Sequence, residues 1–365
     1  MTLFKIYLFP SPCLSGLSLA SRKIILDVAR FSSELSFRQV FLGDRRNISS
    51  ILRYYFKLIR EWFGADVVLA IYPYLCVNIR RRHFLKVLES ILINKLSKRT
   101  YSILYIVDLP IDREVILGSL KGEEYKRCCE VERRIFEGFS AILVFNENMK
   151  KIIQERYGFD DSKFILFEML DYWAKDPPQE DFQFRFPLEI AFLTSSFDQE
   201  RCSWIKELPR CKKVLNYHFY GMSGDWIRRL NRADFKYMGF ISPDEAPKVI
   251  CNHHFGMINY DPLIERYLQY GSTSKFSAYL SAGLPIICSS RFTYLSDLVQ
   301  KYSVGVLFRS LDEIPEILLK LNRETYGKMR KNSIELGEKV RHGYFLKKAI
   351  ITALQKQSSY PKQSF

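Results

Sequence analysis

Over the first 170 residues, short apolar runs alternate with stretches in which apolar positions recur every three or four residues. Residues 4–9, 39–42, 66–72, 102–107, 141–145 and 164–167 are near-continuous runs rich in Ile, Val, Leu and aromatics, the pattern of strands buried on both faces. Between them, residues 21–31, 49–63, 83–96, 123–139 and 148–157 carry the helical period. Strand and helix in regular alternation predict a parallel, doubly wound sheet.

The alternation pauses at residues 174–187, where Pro177, Pro178 and Pro187 stand among charged residues without a period; this reads as a linker. A second series of apolar runs follows at 189–193, 214–220, 235–240, 255–260, 285–288 and 305–308. The pattern divides the chain into a first domain at 1–173, the linker at 174–187, a second domain at 188–340 and a C-terminal segment at 341–365. One helical stretch near 324–354 is long enough to return to the first domain. The expected architecture is α/β, with two Rossmann-like domains facing a central cleft, and ligands in such sheets bind at the carboxyl ends of the strands. A length of 365 residues suits two cores.

Composition narrows the function classes. Hydrophobic residues at 47% and aromatics at 15% rule out a disordered or collagen-like chain. The eight cysteines form no C-x-x-C pair and the five histidines offer no zinc-ligand spacing, so reduced, buried thiols and no metal site are expected, with His253 and His254 in a loop or core. The apolar start runs into Pro10 and Pro12, as a strand and not a signal peptide would, and no segment reaches 18 uncharged apolar residues. A cytoplasmic protein is expected. The net charge is +15, and residues 1–100 hold 17 basic against 6 acidic residues. Something acidic should meet that quarter. Arg80, Arg81, Arg82 and Lys86 precede Ile91, Leu92 and Leu96, which favours a peripheral anionic membrane face. Nucleic-acid binding is the competing class, and no RNA-binding or helix-turn-helix motif supports it.

The most informative segment runs from Gly271 to Ile287. Ser272, Thr273 and Ser274 are N-cap candidates for a helix ending at Gly283, and Pro285 opens the next strand. Backbone N–H groups, the positive helix end, the hydroxyls of Thr273 and Ser274 and the cation of Lys275 together suit a diphosphate. A capped helix with a solvated lysine fits the same spacing. The absence of D-x-D gives no support to a scheme that carries the phosphates on manganese.

Thr273-Ser274-Lys275-Phe276 followed by Tyr279-Leu280-Ser281-Ala282-Gly283-Leu284-Pro285-Ile286-Ile287 resembles the donor-domain signature of GT-B glycosyltransferases. Val107-Asp108-Leu109-Pro110, Val144-Phe145-Asn146-Glu147-Asn148-Met149, Asp171-Tyr172 and Arg341-His342-Gly343-Tyr344-Phe345 are similar to the glucosyltransferase 3-like, or β-1,6-galactofuranosyltransferase-like, branch. The resemblance implies a hexosyltransferase that uses a nucleoside-diphosphate sugar, expected to be UDP-linked, with no bound cofactor or metal. Its acceptor would be a glycan, lipid-linked or on protein, in bacterial surface polysaccharide or glycoconjugate synthesis; self-association into a homo-oligomer is compatible with it. It places Arg201 beside Lys275 as a phosphate ligand, Phe240 as the base-stacking ring, and Asp108, with Asp171 behind it, as the acceptor-side base. The branch's histidine before the first aspartate is Val107 here, and the wider group's ribose-binding glutamate falls at Ala278. A GT-B scaffold without activity is the remaining alternative.

Overall fold

The computed structural model describes residues 5–9, 18–42, 48–73, 83–175 and 183–358. Two parallel six-stranded sheets organise them. The first contains β1 (Lys5–Phe9), β2 (Arg38–Phe41), β3 (Val67–Tyr72), β4 (Tyr101–Ile106), β5 (Ala141–Val144) and β6 (Phe164–Leu166) in the order β2-β1-β3-β4-β5-β6. The second contains β7 (Leu188–Ser196), β8 (Leu215–Met222), β9 (Phe235–Gly239), β10 (Phe255–Ile258), β11 (Ile286–Ser289) and β12 (Gly305–Phe308) in the order β12-β11-β10-β7-β8-β9. All twelve coincide with the expected apolar runs to within a few residues, because strands covered on both faces must be apolar throughout. β3 is buried at every position.

Each sheet reverses its winding direction once. In the second sheet the chain leaves β7 toward β8 and β9, then returns to the other side for β10, β11 and β12, so β7 and β10 are neighbours at the switch point. Crevices open at the carboxyl ends of such a pair.

Two compact units divide the chain. The first comprises residues 1–17, 25–169 and 345–365, and the second comprises 18–24 and 170–344. The expected helix over 324–354 is two helices, Arg323–Arg341 and Tyr344–Ser358, separated at Gly343, whose φ of 70° a residue with a Cβ adopts at a cost. The first of these belongs to the second unit. The other belongs to the first unit, where the Tyr101 hydroxyl donates to the Ala353 carbonyl at 2.6 Å and Lys347 pairs with Glu34. Residues 183–187, expected in the linker, pack on the second unit: Phe184 stacks on Tyr326 with ring centroids 4.8 Å apart. Among the described residues no helix is long and apolar enough to cross a membrane.

Candidate functional site

A cavity of about 300 Å³ lies within the second unit, at the switch point of its sheet. Leu193, Thr194 and Ser195 reach it from the carboxyl end of β7, Tyr220 from β8, Tyr260 from just beyond β10, and Thr273, Ser274 and Lys275 from the start of the helix Ser274–Ser281. Phe240, Ile241, Pro243, Ala246 and Tyr172 complete the wall together with Leu19 and Ala20.

The helix is held by contacts that the sequence partly announces. Thr273 is its N-cap: Oγ1 accepts from the Lys275 amide at 3.4 Å and sits 2.6 Å from the Tyr260 hydroxyl. On the inner side, Tyr279 lies over Gly256 of β10, where an added Cβ would come within 2.2 Å of the ring. The Tyr279 hydroxyl donates to the Met257 carbonyl at 3.0 Å and accepts from the Leu193 amide at 2.9 Å, which ties the helix to both strands of the switch point. Ser277 and Ser281 donate to the Leu170 and Tyr172 carbonyls at 2.6 and 3.0 Å, and the Tyr172 hydroxyl donates to the Pro243 carbonyl at 2.5 Å.

Lys275 is the electrostatic centre. Its Nζ lies 4.5 Å from the centroid of the Phe192 ring and 4.3 Å from that of Tyr260, and among the described residues no carboxylate is paired with it. Burial lowers its pKa to about 8. The Cys202 thiol, which also acts on it, is pushed upward by burial and so stays neutral. A half-buried cation at a helix N-terminus, offset only by ring faces, leaves room for an anion.

The other expected residues fall as follows. Thr273, Ser274, Lys275 and Phe240 converge on the cavity, and Phe240 is 45% exposed just after Gly239, whose φ of 84° turns the chain at the end of β9. Arg201 is exposed in the turn after β7, its amide accepted by Asp198 Oδ1 at 3.1 Å, and does not line the cavity. Asp171 is buried in the second unit. Asp108 follows β4 in the first unit, where Arg113 Nη1 lies 2.8 Å from its Oδ2. The helix Pro110–Ile116 that follows has Leu109 as its N-cap. Arg80, Arg81 and Arg82 lie outside the described residues, as does the side chain of Lys86.

His253 and His254 are buried, as expected of core residues. Burial lowers both pKa values to about 4. His253 Nε2 lies 3.3 Å from the Tyr220 hydroxyl and 2.8 Å from His218 Nδ1, and so braces one cavity wall. Sequence reasoning missed Tyr260, Tyr172 and the Leu19–Ala20 wall. Tyr260 was accessible through the rule that ligands gather at carboxyl strand ends; nothing in the local pattern signalled Leu19 or Ala20.

Residues 192–353 match the family described as "Glucosyltransferase 3-like, C-terminal domain". Over that segment, which is less than half of its length, the chain is similar to glucosyltransferase 3-like C-terminal domains. The match encloses β8 to β12, most of β7 and the Lys275 helix. The Glucosyltransferase 3 of Streptococcus gordonii is 29% identical over 128 residues, which span 33% of this chain and 37% of that protein. Among solved structures, the sucrose-phosphate synthase of Thermosynechococcus elongatus superposes with a TM-score of 0.63 at 10% identity, covering 98% of this chain and 99% of that one. Anabaena HepE, solved in complex with UDP-glucose, superposes with 0.58 at 10% identity, covering 98% and 100%. At such identities these structures establish the fold alone: the chain has the two-domain α/β architecture of GT-B glycosyltransferases.

Proposed function

We propose that the chain is a glycosyltransferase that moves a hexose from a nucleoside-diphosphate sugar, UDP-linked, to a glycan acceptor. The observation that carries this reading is Lys275, a half-buried cation with no paired carboxylate among the described residues, at a helix N-terminus inside a cavity walled by Tyr260, Tyr220, Tyr172 and Phe240. The diphosphate would lie against the Thr273 and Ser274 hydroxyls, the helix N–H groups and Lys275, and Phe240 would stack on the base. The family match at 192–353 and the UDP-glucose bound to HepE support the same ligand class.

Transfer breaks the bond between the anomeric carbon and the diphosphate, leaving the electron pair on the departing phosphate. Fixed positive ends placed there lower the barrier without reorganisation. The acceptor hydroxyl oxygen bonds to the anomeric carbon as its proton passes to a base, the role proposed for Asp108 with Asp171 as the second candidate. Arg201 is proposed as a further phosphate ligand. The reading needs no divalent metal, since cations and helix N–H groups meet the phosphate charge. The acceptor is proposed to be a lipid-linked glycan of surface polysaccharide synthesis, reached at the cytoplasmic membrane face.

A thermal-shift screen of nucleotide sugars, followed by measurement of nucleoside diphosphate release with EDTA present, tests this. A UDP-sugar should raise the melting temperature, because a ligand bound only by the folded state stabilises it, and turnover should survive chelation. No shift with any nucleotide sugar would remove the reading, and activity restored only by manganese would remove its metal-free form.

A further inference from the structure

The helix Ile48–Phe63 in the first unit is apolar on two sides. Tyr54, Leu58 and Trp62, spaced four apart, are fully buried and fix its inner face. On a different face, Leu52, Phe56 and Phe63 are 65%, 68% and 56% exposed, a stripe of large side chains left uncovered among the described residues. Arg53 and Arg60, both exposed, run along the edge of the stripe, and the Arg99 guanidinium lies 5.2 Å from the Phe63 ring centroid. Lys98, beside Arg99, is also exposed. The helix has a single acidic residue, Glu61, which is buried between Arg38 and Arg60, and those guanidinium groups hold its carboxyl below the usual range.

A soluble helix face ordinarily alternates scattered apolar positions with charges of both signs. Here, among the described residues, the charged groups that border the exposed apolar stripe are cations. Phenyl and leucyl groups that reach the level of lipid headgroups, with guanidinium groups beside them at the phosphates, match an anionic bilayer in both polarity and charge.

We propose that Leu52, Phe56 and Phe63, flanked by Arg53, Arg60 and Arg99, form a docking surface for an anionic membrane. The inference rests on the membrane-side reading of the acceptor and is independent of the donor cavity, which lies in the other unit. It places the contact on a helix distinct from the Arg80 to Lys86 segment.

Sedimentation of the full chain with vesicles of phosphatidylglycerol, and separately of phosphatidylcholine, tests it, alongside light scattering and a UDP titration. The wild type should bind phosphatidylglycerol vesicles at low salt, release them at high salt and ignore phosphatidylcholine. Phe56→Ser with Phe63→Ser should lower the partition coefficient at least about tenfold, given the apolar area withdrawn from the bilayer. Arg53→Gln with Arg99→Gln should weaken binding and flatten its salt dependence. Melting temperature and UDP affinity should be unchanged in both variants. A wild type that ignores phosphatidylglycerol overturns the membrane-side reading and the docking surface together. Vesicle binding unaffected by either double variant overturns the docking surface alone. A wild-type dimer that the phenylalanine variant converts to a monomer also overturns it, because a second copy then covers the stripe.

Discussion

Lys275 sits where its two protonation states have different consequences. In the empty cavity, burial favours the neutral amine and lowers its pKa to about 8. A bound diphosphate would favour the ammonium, so ligand binding should draw a proton onto Lys275 at and above that pH. Below about 8 the cation is already present; as pH rises through 8 it is lost from the free protein and must be regained on binding. UDP affinity should therefore fall as pH rises from about 7 to about 9.5, with proton uptake visible in buffers of different ionisation enthalpy. An affinity that stays flat across that range contradicts a diphosphate contact with Lys275. Asp108 makes a separate prediction. Its ion pair with Arg113 is partly exposed, so Asp108→Asn should leave the fold intact, cut turnover by about 100-fold or more, and leave donor affinity nearly unchanged. Turnover near wild type would return Asp108 to a structural role and move the test to Asp171.

At the scale of elements, the helix Ser274–Ser281 is only eight residues long and owes its position to tertiary bonds. Tyr279→Phe removes one donor and one acceptor at once, leaving the Leu193 amide and the Met257 carbonyl unpaired in a buried setting. A loss of about 1 to 3 kcal/mol in urea unfolding is expected, and UDP affinity should fall because the helix N-terminus loosens. Equal stability would mean that the two hydroxyl bonds do not hold the helix. This helix was legible in sequence because its cap, Gly283 and Pro285 are local signals. So were the twelve strands, whose apolar runs follow from burial on both faces. The break at Gly343 was not, because amphipathic periodicity continues on either side of it and only the positive φ ends the first helix. The short helix Pro110–Ile116 was missed for the related reason that seven residues hold too little period to read. Arg201 was placed by the resemblance alone, since no local pattern marks it; its side chain is exposed in the turn after β7 and is not among the residues lining the cavity.

Across the whole chain, charge and chemistry are distributed unevenly. Residues 1–100 carry 17 basic and 6 acidic residues, whereas the cavity and most of the family match belong to the second unit. That division suits a protein whose two halves meet different ligands, a nucleotide in one and an anionic surface in the other. The central claim is that the second unit binds a nucleoside diphosphate through Lys275. Calorimetric titration of UDP into the full chain and into Lys275→Ala tests it most directly, with both proteins first shown to be folded. Saturable binding to the wild type is expected, with a weakening of about 10- to 150-fold in the variant, the scale of a charge-assisted hydrogen bond. Equal affinity in the two proteins, or no binding of UDP to the wild type, would contradict it.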